Sequence, residues 1–286
     1  MSGAGDTIDA LIAREDLPAS YKDIVEQHWR PLARKIADWR AEKQGPLVVG
    51  VNGAQGSGKS TLCAFLAEAL LPELNLNAAI LSLDDFYLPK CARLKLAEKI
   101  HPLLATRGVP GTHDVAMLSA AINDLLSGIT VSTPVFDKAS DDRFAQNRKI
   151  PGPADVILLE GWCVGAPAQD EAALTQSINA LERNEDRDGI WRRYVNERLK
   201  TDYKDLFSRL DRLIMLRIDS MESVLQNRLR QERKLRAARP DATKVMTEEA
   251  IARFIQHYER LTRHCLDTLP ETADIMIDVA DLTANS

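Results

Sequence analysis

Several features that mark particular classes of protein are scarce or absent in this chain of 286 residues. No apolar run approaches the roughly 20 residues that a transmembrane helix requires, so no membrane span is expected. Basic residues are not in excess, because there are 37 Lys and Arg against 42 Asp and Glu, and this balance disfavours nucleic acid as a partner. The chain has no internal repeat or low-complexity segment, and a hydrophobic content of 45% argues against disorder.

Cysteine is also rare, and the cysteines lie far apart without a Cys-x-x-Cys pair: Cys63, Cys91, Cys163 and Cys265. This spacing predicts free thiols in a reducing compartment rather than a disulfide framework or a zinc site. Residues 1–9 show no basic stretch followed by an apolar one, so no signal peptide is expected. Together these features predict a cytoplasmic protein.

Short apolar strands alternate with helical patterns along most of the chain. The predicted strands lie at residues 47–51, 78–83, 131–136, 155–159, 213–218 and 275–279. This alternation predicts an α/β fold with a mostly parallel sheet covered by helices on both faces. A helical pattern between residues 21 and 43 precedes the first strand and ends at Gly45-Pro46. We therefore predict a helical extension over residues 1–44 and one domain over residues 45–286.

Residues 53–60, Gly-Ala-Gln-Gly-Ser-Gly-Lys-Ser, match the phosphate-binding pattern GxxxxGK[ST]. Glycines at this spacing let successive backbone N–H groups surround phosphate oxygens, and the following helix directs its positive dipole end at them. Lys59 would contact the β- and γ-phosphates, and the Ser60 hydroxyl would bind Mg²⁺. A predicted strand before the pattern and a helix after it indicate a nucleotide-binding P-loop NTPase fold. The residues expected to contact the nucleotide here are Gly53, Ala54, Gln55, Gly56, Ser57, Gly58, Lys59, Ser60 and Thr61.

Two other P-loop classes are disfavoured by missing motifs. The chain has no Asn-Lys-x-Asp guanine motif, which a GTP switch protein should carry. It also lacks the Leu-Ser-Gly-Gly-Gln string of transport ATPases. The charged residues at the strand ends therefore become the main indication of the reaction.

Two carboxylates come at the ends of buried strands, where the ligand crevice of a parallel α/β sheet lies. Asp84 follows the strand at 78–83 and could accept a proton from an attacking hydroxyl; otherwise it is a solvated turn residue or a helix cap. Glu160 follows the strand at 155–159 and is suited to hold Mg²⁺ or to orient the substrate; otherwise it pairs with a nearby arginine.

Two further strings could bind an acceptor substrate. In residues 107–114, Arg107 offers a planar fork for a carboxylate or phosphate and His113 could bind a substrate oxygen, unless the string is only a helix-capping loop. In residues 134–143, Asp137 could accept bonds from substrate hydroxyls. Lys138 or Arg143 could neutralise an anion there, unless the segment is a solvated charged turn.

A strongly basic stretch stands out in this mildly acidic chain, between residues 228 and 244. Kinases often close an arginine-bearing lid over the transferring phosphoryl group, and we predict an Arg-rich helical lid at about residues 225–245. Arg228 and Arg233 are the first candidates to face the nucleotide. The alternatives are a solvated helix face and a patch that binds nucleic acid.

Five strings of this chain resemble, in their order, those of D-glycerate 3-kinase-like proteins. They are the phosphate loop, Leu-Asp-Asp-Phe-Tyr-Leu at 83–88, Arg-Gly-x-Pro-Gly-Thr-His-Asp at 107–114, Pro-x-Phe-Asp-Lys-x-x-x-Asp-Arg at 134–143 and Leu-Glu-Gly-Trp at 159–162. That family belongs to a wider group with uridine kinases, phosphoribulokinases and bacterial pantothenate kinases. The resemblance is good over residues 45–165 and weaker as far as Tyr258.

The resemblance implies a kinase that transfers the γ-phosphoryl group of ATP, with Mg²⁺, to the hydroxyl of a small molecule, most simply D-glycerate. It implies that Asp84 is the base, that Glu160 binds Mg²⁺ and that Arg228 belongs to the lid. It also implies that Asp137 and Arg143 lie near the substrate. We predict that the acceptor site includes a further set: Tyr87, Arg107, His113 and Lys138. A carboxylate acceptor would explain an arginine in this pocket, whereas a neutral nucleoside would not need one.

The chain also departs from the family pattern. Asn227 precedes Arg228 where the pattern has Trp-Arg, and the segment at 183–200 is longer and more charged than the pattern. A different acceptor, such as uridine, pantothenate or a sugar phosphate, therefore stays open. The alternative from another class is an ATP-binding regulator that associates with RNA.

Overall fold

The computed structural model describes residues 4–238 and 247–283. The strands in chain order are β1 (Leu47–Gly53), β2 (Ala78–Ser82), β3 (Val131–Thr133), β4 (Phe136–Asp137), β5 (Asp142–Arg143), β6 (Arg148–Ile150), β7 (Val156–Gly161), β8 (Arg212–Arg217) and β9 (Ile275–Asp278). Five of them form the main sheet, in the order β2-β7-β1-β8-β9, and every neighbouring pair in it is parallel. The predicted α/β fold with a mostly parallel sheet is confirmed.

The longer helices surround this sheet. In chain order they are α1 (Ala4–Arg14), α2 (Tyr21–Ile24, Val25–Trp29 and Arg30–Glu42 in succession), α3 (Lys59–Phe65, Leu66–Leu70 and Leu71–Glu73), α4 (Lys90–Lys99), α5 (Val115–Leu126), α6 (Ala180–Glu185), α7 (Ile190–Arg198, Leu199–Tyr203 and Lys204–Phe207), α8 (Met221–Ala238), α9 (Glu248–Thr268) and α10 (Val279–Thr283). Asp114 caps α5 as predicted, because its side chain accepts a hydrogen bond from the Met117 N–H at 3.1 Å. No helix within the described ranges is both long and apolar enough to cross a bilayer.

Successive strand residues point to opposite faces of the sheet, and each face carries its own core. Val48 and Met215 pack on one face with apolar residues of α5, α7 and α9. Val49 and Ile214 pack on the other face with apolar residues of α1, α2 and α3. The helices of the predicted extension at 1–44 thus share a core with the helix that follows the phosphate loop.

The predicted strand at 131–136 does not join the main sheet. It divides into β3, which pairs antiparallel with β6, and β4, which pairs antiparallel with β5. Pro134 lies between the two parts and has no N–H to donate to a ladder. The Phe136 N–H donates a hydrogen bond to the Asp85 carboxylate at 3.2 Å. This bond fixes the β4–β5 hairpin beside the turn that follows β2.

Candidate active site

The phosphate loop connects β1 to α3 and has the backbone that its glycines allow. Gly56 and Gly58 have φ values of 77° and 86°, in the region that L side chains rarely adopt. A Cβ atom on Gly53 would overlap the Ser57 hydroxyl. Because α3 begins at Lys59, the first N–H groups of the helix have no acceptor within it and lie at the end of the loop, where phosphate oxygens can bind.

Glu160 joins the phosphate loop to the end of β2. Its Oε1 atom accepts hydrogen bonds from the Ser60 hydroxyl at 3.1 Å and from the Ser82 hydroxyl at 2.6 Å. The Lys59 ammonium lies 3.9 Å from its Oε2 atom, and the Glu160 side chain is 7% exposed. The carboxylate therefore sits inside the crevice, next to the residues expected to hold the phosphates.

A hydroxyl and a carboxylate on adjacent elements fit Mg²⁺, which prefers oxygen ligands. Over the described ranges there is no group of three or more His, Cys, Asp or Glu side chains that could hold a metal ion by itself. In phosphoryl-transfer enzymes, Mg²⁺ is bound through one or two carboxylates together with substrate phosphates and water.

Asp84 lies in the short helical turn Leu83–Phe86 directly after β2, and both of its carboxylate oxygens have partners. Oδ2 accepts a hydrogen bond from the Lys138 ammonium at 2.7 Å, and Oδ1 accepts one from the Tyr87 hydroxyl at 2.7 Å. Burial raises the pKa of Asp84, but the charges of Lys138 and Lys59 and the two hydrogen bonds outweigh it, so the pKa lies well below its usual range. Asp84 is thus a carboxylate at neutral pH and able to accept a proton.

The string at 107–114 packs against the Asp84 turn through its backbone and through His113. The Leu88 N–H donates to the Thr112 carbonyl at 2.8 Å, and the Asp114 N–H donates to the Phe86 carbonyl at 2.7 Å. The His113 ring stacks on Tyr87 with a centroid distance of 4.6 Å. Burial lowers the pKa of His113 to about 3, so its ring is neutral at physiological pH.

Three other predicted acceptor residues bind mainly to the protein. The Arg143 guanidinium donates to the Tyr87 carbonyl at 2.8 Å and to the Phe86 carbonyl at 3.4 Å, which supports the Asp84 turn. Arg107 forms an ion pair with Asp141. Asp137 accepts from two backbone N–H groups in the turn between β4 and β5, at 2.9 and 3.1 Å. Of the acceptor set, Tyr87, His113 and Lys138 are the residues brought together around Asp84.

The predicted lid begins with α8, which lies against the phosphate loop. The Asn227 side chain reaches the Gly56 carbonyl at 3.5 Å. Burial raises the pKa of Tyr258, and the charges of Arg107 and Arg228 oppose that rise, which places both cations near this ring. Arg233 is exposed and pairs with Glu248 at 3.1 Å. Residues 239–246, with the rest of the predicted basic stretch, lie outside the described residues.

The chain is similar to known kinases in sequence and in structure. No protein-family model matches the chain. An uncharacterized kinase of Schizosaccharomyces pombe is 32% identical over 225 residues, which cover 74% of this chain and 78% of that protein. A probable ATP-dependent kinase of Saccharomyces cerevisiae is 31% identical over 246 residues, which cover 79% of this chain and 80% of that protein. A D-glycerate 3-kinase from Cryptococcus neoformans superposes with a TM-score of 0.73 and 26% identity, over 92% of this chain and 97% of that one.

The chain belongs to the D-glycerate 3-kinase-like family of P-loop kinases. The resemblance inferred from its sequence strings is confirmed, and so is the P-loop fold. Membership makes this kinase an ATP-using phosphotransferase with a hydroxyl acceptor.

Sequence reasoning missed two tyrosines of this kinase. The Tyr258 hydroxyl donates to the Arg107 carbonyl at 2.9 Å, and its ring fills the space where Gly108, with φ of 129°, would carry a Cβ atom. The Tyr203 hydroxyl lies 2.5 Å from His113 Nδ1. Gly108 was a visible signal of an unusual backbone, but nothing local in the sequence connects it to Tyr258 or connects Tyr203 to His113.

Two buried histidines of the kinase are expected to make its fold sensitive to acid. Burial lowers the pKa of His113 to about 3 and that of His257 to about 4, from 6.5. As the pH falls from 6.5 towards about 4, the unfolded chain binds protons that the folded chain does not, so the free energy of unfolding falls. Well below 6.5, each histidine should remove about 1.4 kcal/mol per pH unit.

Urea unfolding between about pH 7.5 and about pH 5 would measure this loss. The His257→Gln variant should show a shallower dependence on pH than the parent protein, because one buried histidine that binds a proton on unfolding is gone. A free energy of unfolding that stays constant across this range would contradict the prediction.

Proposed function

We propose that this kinase transfers the γ-phosphoryl group of ATP to D-glycerate and forms 3-phosphoglycerate. The observation that carries the proposal is the ion pair between Asp84 and Lys138 beside the phosphate loop. It combines a base for a hydroxyl with a cation for an acidic group. A further relative, the chloroplastic D-glycerate 3-kinase of Arabidopsis thaliana, supports this acceptor; it is 28% identical over 78% of this chain and 48% of that protein.

The nucleotide side of the proposed site is held by the phosphate loop. The loop N–H groups and Lys59 bind the phosphates, with Thr61 in the first turn of α3. Ser60 and Glu160 would hold Mg²⁺, which supplies neutralisation of phosphate charge when it is bound. We assign Arg228 to the transferring phosphoryl group, and Arg233 to the outer part of the lid.

The acceptor side is built around Asp84. Lys138 would bind the acceptor carboxylate, and the neutral His113 ring would bind an acceptor oxygen. Arg107, Arg143 and Asp137 shape the pocket through the hairpin and the turn that they fix. An anionic acceptor competes with Asp84 for the Lys138 ammonium, so its binding would also release one oxygen of the base.

The transfer step is a single displacement at phosphorus. The acceptor oxygen forms a bond to the γ-phosphorus, the bond from that phosphorus to the β,γ-bridging oxygen breaks, and ADP leaves with the bond electrons. The proton of the acceptor hydroxyl passes to the Asp84 carboxylate. The protein contributes mainly position and charge, because this reaction asks for little covalent chemistry from it.

An acceptor panel tests the proposal directly. Purified protein with MgATP is incubated with D-glycerate, L-glycerate, uridine, pantothenate or ribulose 5-phosphate, and ADP release is followed. We expect D-glycerate to give the highest kcat/KM and the product to carry the phosphate at position 3. Faster turnover of uridine or another panel member would assign that acceptor instead, and no turnover above the ATP-only rate with any of them would refute the acceptor class.

A further inference from the structure

The Tyr203 hydroxyl can donate only one hydrogen bond, and the described residues around it offer one acceptor for that proton. The hydroxyl oxygen accepts a hydrogen bond from the Gly111 N–H at 3.1 Å. Its other close polar neighbour is Nδ1 of His113, at 2.5 Å. Because the Gly111 N–H is itself a donor, the tyrosine proton is free to point at Nδ1.

His113 then has a defined protonation pattern. The ring is neutral, since burial lowers its pKa to about 3, and a neutral imidazole carries one N–H. With Nδ1 accepting from Tyr203, that N–H is at Nε2. His113 is only 5% exposed, and its Nε2 atom is buried. This atom has no hydrogen-bond partner in the part of the chain that the structure describes.

The contacts of the His113 ring fix the direction of its Nε2–H group. It stacks on Tyr87, whose hydroxyl bonds to Asp84, and it meets the edge of the Tyr203 ring at a centroid distance of 5.8 Å. Tyr203 is fully buried, so its own position is fixed. A buried N–H without a partner is costly, which points to a ligand oxygen as its complement.

We propose that Tyr203 is a positioning residue for phosphoryl transfer, which fixes the tautomer of His113 so that Nε2–H binds an oxygen of the acceptor. This inference rests on the proposed function, because it takes the space around Asp84 as the acceptor site. It adds a residue from α7, outside every string of the family pattern. Tyr203 would act on acceptor binding through His113 without touching the acceptor.

The first test reads the tautomer without any substrate. The chain has five histidines, so the NMR spectrum of ¹⁵N-labelled protein shows few imidazole signals. The two ring-nitrogen signals of His113 are identified because they are missing in the His113→Gln variant. We expect a neutral ring protonated at Nε2 at neutral pH. A ring protonated at Nδ1, or at both nitrogens, would overturn the inference, whereas failure to phosphorylate D-glycerate would overturn only the proposed function.

The second test removes the hydroxyl with Tyr203→Phe. We expect a mixture of His113 tautomers and a KM for the acceptor raised by about 3- to 10-fold, while kcat and the KM for ATP change little. Tyr194→Phe is the matched control, because Tyr194 also belongs to α7 and packs against Gly111. It should leave both the tautomer and the acceptor KM unchanged.

A double-mutant cycle separates positioning from a general packing defect. In the His113→Gln background there is no imidazole tautomer to fix, so Tyr203→Phe should add little to the acceptor KM. The kinetics use whichever panel acceptor the parent enzyme turns over best. An equal rise in KM in both backgrounds, or an unchanged tautomer in Tyr203→Phe, would overturn the inference.

Discussion

Replacing Asp84 with Asn should lower kcat by about 10²- to 10⁴-fold, the range for loss of a general base, while ATP still binds. Asn has nearly the same shape but cannot take the acceptor proton. The substitution also removes the partner of Lys138, so an anionic acceptor should bind at least as tightly as before. Steady-state kinetics with the acceptor varied, together with nucleotide titration by calorimetry, would measure the three quantities separately.

Asp85→Asn is the matched control for this variant. Asp85 is the next residue in the same turn, but its carboxylate accepts from the Phe136 N–H and pairs with Arg148 at 3.0 Å, away from Asp84. Loss of the Asp85 carboxylate should affect the β4–β5 hairpin and reduce kcat much less, because its hydrogen bonds go to Phe136 and Arg148. Near-normal kcat in Asp84→Asn, or an equal loss in both variants, would show that Asp84 is not the base.

Replacing Lys59 with Met should weaken ATP binding and lower kcat by about 10²- to 10³-fold, since one preorganised charge is lost where negative charge develops. A second effect follows from the electrostatics of the site. The Lys59 charge is among the causes that lower the pKa of Asp84, so its removal raises that pKa. The acidic limb of the plot of kcat against pH should therefore move to higher pH.

Lys138→Met tests whether Lys59 acts on ATP and Lys138 acts on the acceptor. Lys138 also lowers the pKa of Asp84, so this variant should shift the acidic limb in the same direction. It should raise the acceptor KM and leave the KM for ATP nearly unchanged, because Lys138 lies on the acceptor side. An ATP KM that is raised in Lys138→Met, or unchanged in Lys59→Met, would contradict the assignment of the two lysines.

The sequence revealed features whose cause is local. The phosphate loop needs glycines at fixed positions, and Asp84 and Glu160 follow apolar strands whose carboxyl ends must meet at one edge of a parallel sheet. Each of these requirements lies within a dozen residues of the chain. The position of the crevice could therefore be inferred before its geometry was known.

Features that depend on residues far apart in the chain could not be predicted from the sequence. Arg143 donates to the Tyr87 carbonyl because of the way the β4–β5 hairpin packs. The sequence shows only that the residue is positively charged, and this would be the same if it faced a substrate. The segment predicted as a strand at 131–136 divides into β3 and β4, whose partners β6 and β5 come later in the chain. Tyr203 lies in a polar helical stretch, and only folding brings its hydroxyl to His113.

The N-terminal helices pack against the helix that follows the phosphate loop. The Arg14 guanidinium of α1 pairs with Glu68 of α3 at 2.7 Å, and the Tyr21 ring packs on Phe65 at 5.4 Å. The first turn of α3 carries Lys59, so these contacts support the helix that holds this lysine. We therefore expect substitutions at these contacts to alter the affinity for ATP through the position of α3.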